Sequence, residues 1–259
     1  MTTTVAIVGA TGRMGTLISR LIGESHDFEL VARLDSISPL DEMLAAQLVV
    51  DVTVPAVSQG VVNFAVRHGK SVLVGTSGWS ATRIRALENQ IVEEGSRASV
   101  IIVPNFSIGS VLATSFAAMA ARFYDSIEII EFHHSTKVDS PSGTAVRTAE
   151  LIGNARAALG PVKAPHADQR ARGEQVSSVP IHSLRMQGIV AKQDVIFGGT
   201  GETLTLSHET LDPSAYESGI MLSLRALGST TGVVVGLDRL IDLGPADPPP
   251  PVEIPSDLE

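Results

Sequence analysis

Short apolar runs alternate with amphipathic stretches along the first part of the chain. The runs are rich in Val, Ile and Leu and span residues 5–8, 29–34, 48–52, 71–74 and 99–103. Between them, apolar residues recur at helical spacing around residues 17–22, 57–65 and 80–95. Strands that alternate with helices predict a parallel, doubly wound α/β sheet. In such a sheet the binding site lies at the carboxyl ends of the strands.

The pattern changes in the second part of the chain, where a different set of elements is expected. The sequence predicts helices at 111–123 and 144–159, strands at 127–132, 181–184, 190–197 and 203–208, a loop at 160–174 and a glycine-rich turn at 198–201. These elements predict a second, α+β domain with an antiparallel or mixed sheet. A helix at 214–227 and a strand at 233–237 follow.

A glycine-rich turn joins the first predicted strand to the first predicted helix. It has the spacing G-x-x-G-x-x-G and consists of Gly9, Ala10, Thr11, Gly12, Arg13, Met14 and Gly15. Such glycines let the backbone approach a pyrophosphate, whose charge is stabilised at the helix N-terminus. The alternative is a purely structural turn. The strand–turn–helix context favours nucleotide binding and a Rossmann-type sheet.

Asp35 follows the second predicted strand, twenty positions after Gly15. A carboxylate at that point can accept hydrogen bonds from the adenosine ribose of NADH, and it would repel the 2′-phosphate of NADPH. The alternative role is that of a cap or turn residue. Arg13 and Arg33 lie close by in sequence and could accommodate a phosphate. Asp35 therefore favours NADH without excluding NADPH.

Composition limits the classes of partner. The chain has 259 residues, 44% of them hydrophobic, which is enough for a sizeable core in one or two domains. A net charge of −9 argues against a nucleic-acid or anionic-membrane partner. The absence of cysteine excludes disulfides, thiolate metal sites and a thiol nucleophile, and we predict no metal site. Without a signal peptide or a long apolar run, a soluble cytoplasmic protein is expected.

Residues 131–145, EFHHSTKVDSPSGTA, concentrate the polar chemistry of the chain. The end of a predicted strand carries His133 and His134, Lys137 follows, and Ser142, Gly143 and Thr144 begin a predicted helix. A histidine can exchange protons near neutral pH, a lysine can bind an anion, and free amides at a helix N-terminus can bind a carboxylate. The alternative is one core and one surface histidine, followed by an ordinary turn.

The spacing E-x-H-H-x-x-K-x-D-x-P-S-G-T-A closely resembles the signature of the 4-hydroxy-tetrahydrodipicolinate reductase (dihydrodipicolinate reductase) family. The resemblance covers roughly residues 4–240. Four positions depart from the family pattern: Thr136 in place of a further histidine, Ser140 in place of alanine, Lys192 where glycine is frequent, and Pro213 where arginine is common. The departure at Pro213 puts any ligand role there in doubt.

The resemblance implies a reductase of the diaminopimelate route to lysine, which uses NAD(P)H and a cyclic dicarboxylate substrate. It implies that His133 carries a proton and that Lys137 compensates charge on the substrate, with His134, Ser142, Gly143 and Thr144 in the substrate pocket. It also implies that Gly75 and Thr76 border the nicotinamide ribose and that Pro104, Asn105 and Phe106 lie at the nicotinamide. Two alternatives stay open: another Rossmann dehydrogenase of amino-acid metabolism, and a non-catalytic nucleotide-binding homologue.

The family also implies a domain plan and an assembly. The expected plan is a dinucleotide-binding domain at 1–107, a substrate-binding and oligomerisation domain at 108–213, and a return to the first domain at 214–243. The last segment, 244–259, contains six prolines, four acids and no bases, and is predicted to be a disordered tail. The expected assembly is a homotetramer formed through the sheets of the substrate domain.

Overall fold

The computed structural model describes residues 2–241, so the predicted tail lies outside the described residues. Six strands form an entirely parallel sheet in the order β11-β5-β4-β3-β1-β2. They are β1 (Thr3–Val8), β2 (Phe28–Leu34), β3 (Leu48–Asp51), β4 (Ser71–Val74), β5 (Ser99–Ile102) and β11 (Gly232–Val235). The predicted doubly wound parallel sheet is confirmed.

Helices cover both faces of this sheet: α1 (Arg13–Glu24), α2 (Pro55–Arg67), α3 (Ala81–Glu93) and α6 (Glu217–Ala226). One apolar core joins α1 and α6 to the sheet through Ile18, Ile22 and Ile220. The other joins α2 and α3 to it through Val62 and Leu87. Strands enclosed on both faces need apolar side chains in both directions, which explains the continuous Val and Ile runs of the sequence.

A second sheet has the order β10-β9-β6-β8-β7. Its strands are β6 (Ser126–His134), β7 (Glu174–Val176), β8 (Val179–Met186), β9 (Ala191–Gly199) and β10 (Glu202–Thr210). The sheet is mixed, because β6 runs parallel to β8 and antiparallel to β9. Helices α4 (Ile108–Ala120) and α5 (Gly143–Ala155) pack on one of its faces around Ile127, Ile129 and Phe197.

Several element boundaries differ from the predicted ones. Helix α5 ends at Ala155 and not at residue 159, since the buried Arg156 caps it and donates to the carbonyls of Ala121 and Tyr124. Strand β7 was not predicted. The segment predicted as a helix from residue 214 first forms a short 3₁₀ turn at Pro213–Tyr216.

The end of the described chain returns to the first sheet, where β11 pairs with β5. This pairing agrees with the expected return, while the exact domain limits at 107, 213 and 243 stay a prediction. Within residues 2–241, no helix is long and apolar enough to cross a membrane.

Candidate active site

A cleft of about 720 Å³ lies between the carboxyl ends of the parallel sheet and the end of β6 in the second sheet. Thirteen of the predicted site residues line it: Thr11, Gly12, Arg13, Met14, Gly75, Pro104, Asn105, Phe106, His133, His134, Lys137, Ser142 and Thr144. The predicted nucleotide turn and the predicted substrate residues therefore share one cavity. Gly9, Ala10, Gly15, Asp35, Thr76 and Gly143 do not line it.

The glycine-rich turn is shaped by close backbone approaches. Gly9 has a φ of +87°, and a Cβ on it would lie 2.5 Å from the carbonyl oxygen of Val52. A Cβ on Gly15 would lie 2.3 Å from the carbonyl oxygen of Gly9, so larger residues are excluded at both positions. Gly12 caps α1 without any side-chain hydrogen bond. The first amides of α1 are therefore left for an anion, and the turn fits a pyrophosphate.

Asp35 takes part in a turn. Its Oδ1 accepts hydrogen bonds from the amides of Ile37 and Ser38, at 3.0 and 3.1 Å, and from the Ser38 hydroxyl at 2.9 Å. The Ile37 amide and then the Ser38 hydroxyl lower the pKa of this carboxyl. The turn role considered for Asp35 is thus present. Since these bonds all engage Oδ1, the Oδ2 atom is left to accept from a ribose.

The cofactor side of the cleft is closed by Phe106, which packs on Gly75. A Cβ on Gly75 would lie 2.8 Å from the Phe106 ring, so only glycine allows this packing. Thr76 is buried beside the carbonyl of Asp51, 3.4 Å away, and does not reach the cleft. Asn105 donates to the hydroxyl of Thr144 at 3.3 Å and so links the nucleotide side to α5.

Strand β6 carries His133 into the cleft beside a buried carboxylate. The side chain of Glu131 has no exposed surface, and its Oε2 lies 2.5 Å from Nδ1 of His133. Arg185 on β8 donates to both oxygens of Glu131, at 3.0 and 2.8 Å. Burial raises the pKa of Glu131, but hydrogen bonds from His133, Arg185 and Ser183 outweigh it, and the pKa falls to about 2. Glu131 is therefore ionised and can only accept hydrogen bonds.

The loop after β6 carries Lys137 and His134. Nζ of Lys137 lies 2.7 and 2.8 Å from the two carboxylate oxygens of Asp139. Nδ1 of His134 lies 2.8 Å from the hydroxyl of Thr136, one of the four residues that depart from the family pattern. Lys137 is thus paired with an exposed carboxylate of the same loop.

Helix α5 begins at the cleft. Ser142 is its N-cap, and the Ser142 hydroxyl accepts from the amide of Ala145 at 3.2 Å. The first turn of the helix contains no acidic residue. A Cβ on Gly143 would meet open space, so this residue leaves room beside the first amides of the helix. Those amides can bind a carboxylate.

Other residues of the cleft were not singled out by the sequence. Gln193, His208, Thr210 and Tyr216 line it, and Arg185 supports it from β8. Burial lowers the pKa of His208, whose Nε2 lies 3.1 Å from the Ser107 hydroxyl. Lys192 and Pro213, two further departures, also line the cleft. The signature does contain Glu131, and an acid two positions before a histidine on a strand points to the same face of the sheet.

Comparison with known protein families identifies the family of this chain. Residues 3–106 match the model of the dihydrodipicolinate reductase N-terminus, and residues 109–241 match that of its C-terminus. The chain belongs to the dihydrodipicolinate reductase family. As a member of this family it is a pyridine-nucleotide-dependent reductase of Rossmann type.

Individual relatives agree with the family assignment. The 4-hydroxy-tetrahydrodipicolinate reductase of Clavibacter michiganensis subsp. michiganensis is 69% identical over 94% of this chain and 87% of its own length. The enzyme of the same name from Streptomyces griseus subsp. griseus is 43% identical over 92% of this chain and 98% of its own. Both matches cover more than nine tenths of this chain.

Solved structures agree as well. The dipicolinate-bound dihydrodipicolinate reductase from Paenisporosarcina sp. TG-14 superposes with a TM-score of 0.77, at 27% identity, over 93% of this chain and 100% of that one. A putative myo-inositol dehydrogenase from Sinorhizobium meliloti shares 16% identity, a TM-score of 0.60 and coverages of 92% and 93%. The second likeness shows the fold alone.

Proposed function

We propose that this chain reduces 4-hydroxy-tetrahydrodipicolinate to tetrahydrodipicolinate, with loss of water, in the diaminopimelate route to lysine. The observation that carries the proposal is one cleft lined by both the glycine turn of α1 and the His133–Lys137 segment. The names of the most similar relatives support the same reaction. These names support the identity of the substrate, and the geometry of the cleft supports the roles proposed for the residues.

On the substrate side, the proposed ligand is a cyclic dicarboxylate. One carboxylate is bound by the amides of Gly143 and Thr144 and the Thr144 hydroxyl, at the start of α5. Lys137 binds the other negative charge or the reduced intermediate, and His134 contacts the ring. His133 exchanges the proton beside it. Support comes from the positions of His133, His134, Lys137 and Thr144 along the cleft.

On the cofactor side, the nicotinamide group supplies the hydride when bound. The amides at the start of α1 would hold the pyrophosphate, and Oδ2 of Asp35 would accept from the adenosine ribose. Gly75, Asn105 and Phe106 would border the nicotinamide end. Because Asp35 adds negative charge where a 2′-phosphate would lie, we propose that NADH is used at least as well as NADPH.

The protein is further proposed to be a cytoplasmic homotetramer with no nucleic-acid or membrane partner. Support for the missing nucleic-acid partner is the net charge of −9, which repels polyanions.

The test is a turnover assay of the full chain with freshly generated 4-hydroxy-tetrahydrodipicolinate. Turnover is monitored as the decrease in absorbance of the reduced nicotinamide nucleotide. We expect turnover with either nucleotide and inhibition by dipicolinate. Tight NADH binding without any turnover would favour the non-catalytic homologue. Turnover of a different oxo or imino acid alone would favour another Rossmann dehydrogenase.

A further inference from the structure

Glu131 does not line the cleft, but it contacts residues that do. Its side chain has no exposed surface, and both of its oxygens accept hydrogen bonds. His133 Nδ1 and Arg185 Nη1 contact Oε2 at 2.5 and 3.0 Å. The Ser142 amide and Arg185 Nη2 contact Oε1 at 3.2 and 2.8 Å. A buried carboxylate is costly unless it is paired in this way.

The donors to Glu131 belong to the three segments that form the substrate side. His133 carries the proposed proton, and Ser142 caps the helix whose amides face the substrate. Arg185 also donates to the carbonyl of Asp139 at 2.6 Å, and so holds the loop that contains Lys137. One carboxylate therefore fixes the positions of the histidine, the lysine loop and the helix start.

We propose that Glu131 is the positioning residue of the site, and that it fixes His133 as the Nδ1–H tautomer with Nε2 directed to the substrate. An ionised carboxylate only accepts hydrogen bonds, so Nδ1 must donate. Among residues 2–241, nothing hydrogen-bonds to Nε2. Nε2 is then the atom that carries the transferred proton. This inference rests on the proposed function for the direction of that transfer, but the tautomer itself does not depend on it.

The same strand offers a matched control. Glu128 is bound by Arg172 and by Nε2 of His182, at 2.7 Å, so it also combines an arginine and a histidine. Glu128 lies three positions earlier on β6 and does not line or support the cleft. Glu128→Gln removes a comparable ion pair without touching the site, and light scattering should show that this variant keeps the wild-type assembly.

The first experiment measures the imidazole ¹⁵N shifts of His133, assigned by comparison with His133→Gln, in the unliganded protein. We expect a proton on Nδ1 of the neutral ring in the wild type and in Glu128→Gln. In Glu131→Gln, Arg185 retains the amide oxygen, so the amide nitrogen donates to Nδ1 and the proton moves to Nε2. A wild-type neutral ring protonated on Nε2 would overturn the proposal without any variant or turnover.

The second experiment measures kcat and KM of the same proteins and their Kd for NADH. Glu131→Gln should lower kcat by about 10²–10⁴-fold, the range known for misplaced acid–base groups, with the Kd of NADH unchanged. Glu131→Asp, which keeps the charge, should retain the wild-type tautomer and recover part of kcat.

Two results would contradict the proposal. One is an unchanged kcat in Glu131→Gln. The other is an equal loss of kcat in Glu128→Gln and Glu131→Gln, which would make the effect one of sheet stability. Lack of turnover in the wild type overturns the proposed function instead, and the ¹⁵N shifts then decide the tautomer alone.

Discussion

Lys137, the proposed substrate ligand, is bound to Asp139 within the protein. The side chain of Asp139 is 62% exposed. We therefore expect its ion pair with Lys137 to contribute at most about 1 kcal/mol to stability. Burial raises the pKa of Asp139, but the hydrogen bond and charge of Lys137, together with the Asp139 backbone and the charge of Arg185, lower it by more in sum, so the carboxylate is charged at neutral pH. A substrate carboxylate that binds Lys137, as proposed, would therefore compete with Asp139 for the ammonium group.

Asp139→Asn should release Lys137 and tighten dipicolinate binding by up to about fivefold, because it removes that competition. The backbone carbonyl that accepts from Arg185 is kept in this variant. Calorimetry gives the Kd, and Lys137→Ala, which should bind dipicolinate more weakly, is the opposing control. Weaker binding to Asp139→Asn would mean that Asp139 supports Lys137 in the bound state.

His133→Gln should lower kcat by about 10²–10⁴-fold, the usual contribution of a positioned acid or base. NADH binding, measured by fluorescence, should stay near the wild-type value, since the glycine turn is untouched. His134→Gln should be milder and change KM more than kcat. Full turnover by His133→Gln would mean that the proton comes from another group.

Asp35 allows the cofactor preference to be tested with little structural change. Asp35→Asn keeps an Oδ1 that accepts from Ile37 and Ser38, but removes the charge that would repel a 2′-phosphate. The ratio of kcat/KM for NADPH to that for NADH should rise in the variant. The assignment of Asp35 would be contradicted if the wild type preferred NADPH by more than about tenfold, which corresponds to about 1.4 kcal/mol.

At the scale of elements, local sequence patterns predicted the helices, strands and turns that depend on neighbouring residues. The glycine spacing predicted the turn into α1, and the apolar runs predicted the strands of the parallel sheet. The hydrogen bonds between Glu131 and Arg185 could not be predicted from such local patterns. These residues are 54 positions apart, and they meet only because β6 pairs with β8 while the intervening chain forms α5. Pairing of distant strands depends on the whole sheet and leaves no local pattern.

The same link predicts how stability depends on pH. The pKa of Glu131 is about 2 in the folded chain against an ordinary value of 4.5. A lowered pKa stabilises the folded state above pH 4.5, and that contribution is lost as the pH falls toward 2. From pH 6 to pH 3 the loss through this group is about 2 kcal/mol.

Urea unfolding at several pH values measures this dependence. The free energy of unfolding of Glu131→Gln should be lower than that of the wild type at pH near neutrality, but should fall less steeply with acid because the titrating group is gone. A variant that lost stability as steeply as the wild type between pH 6 and pH 3 would show that other carboxylates dominate the acid response.

At the scale of the whole molecule, the two sheets are joined where the chemistry is proposed. Asn105, at the end of β5, donates to Ser110 at 3.0 Å and to Thr144 at 3.3 Å. The nucleotide side and the substrate side therefore share a hydrogen-bond network, in which Asn105 connects α4 with α5. A change in the angle between the sheets would alter both sides together.

The face of the mixed sheet away from α4 and α5 bears on assembly. It carries Ile130, Phe132 and Ile196, which are partly buried and do not belong to the apolar core beneath the helices. Ion pairs such as Glu128–Arg172 and Lys192–Asp194 lie beside them. A face of mixed apolar and paired charged residues suits contact with a second copy of the chain.

We therefore predict a tetramer that uses this face. Light scattering should give four times the chain mass, and Ile196→Lys should produce smaller species, because an unpaired charge is costly in an interface. Val92→Lys, at a position on α3 that is 78% exposed, is the matched control and should leave the mass unchanged. Deleting residues 246–259 should leave the number of subunits and the Tm nearly unchanged, because that segment has few apolar residues to bury. A wild-type monomer at micromolar concentration would contradict the assembly.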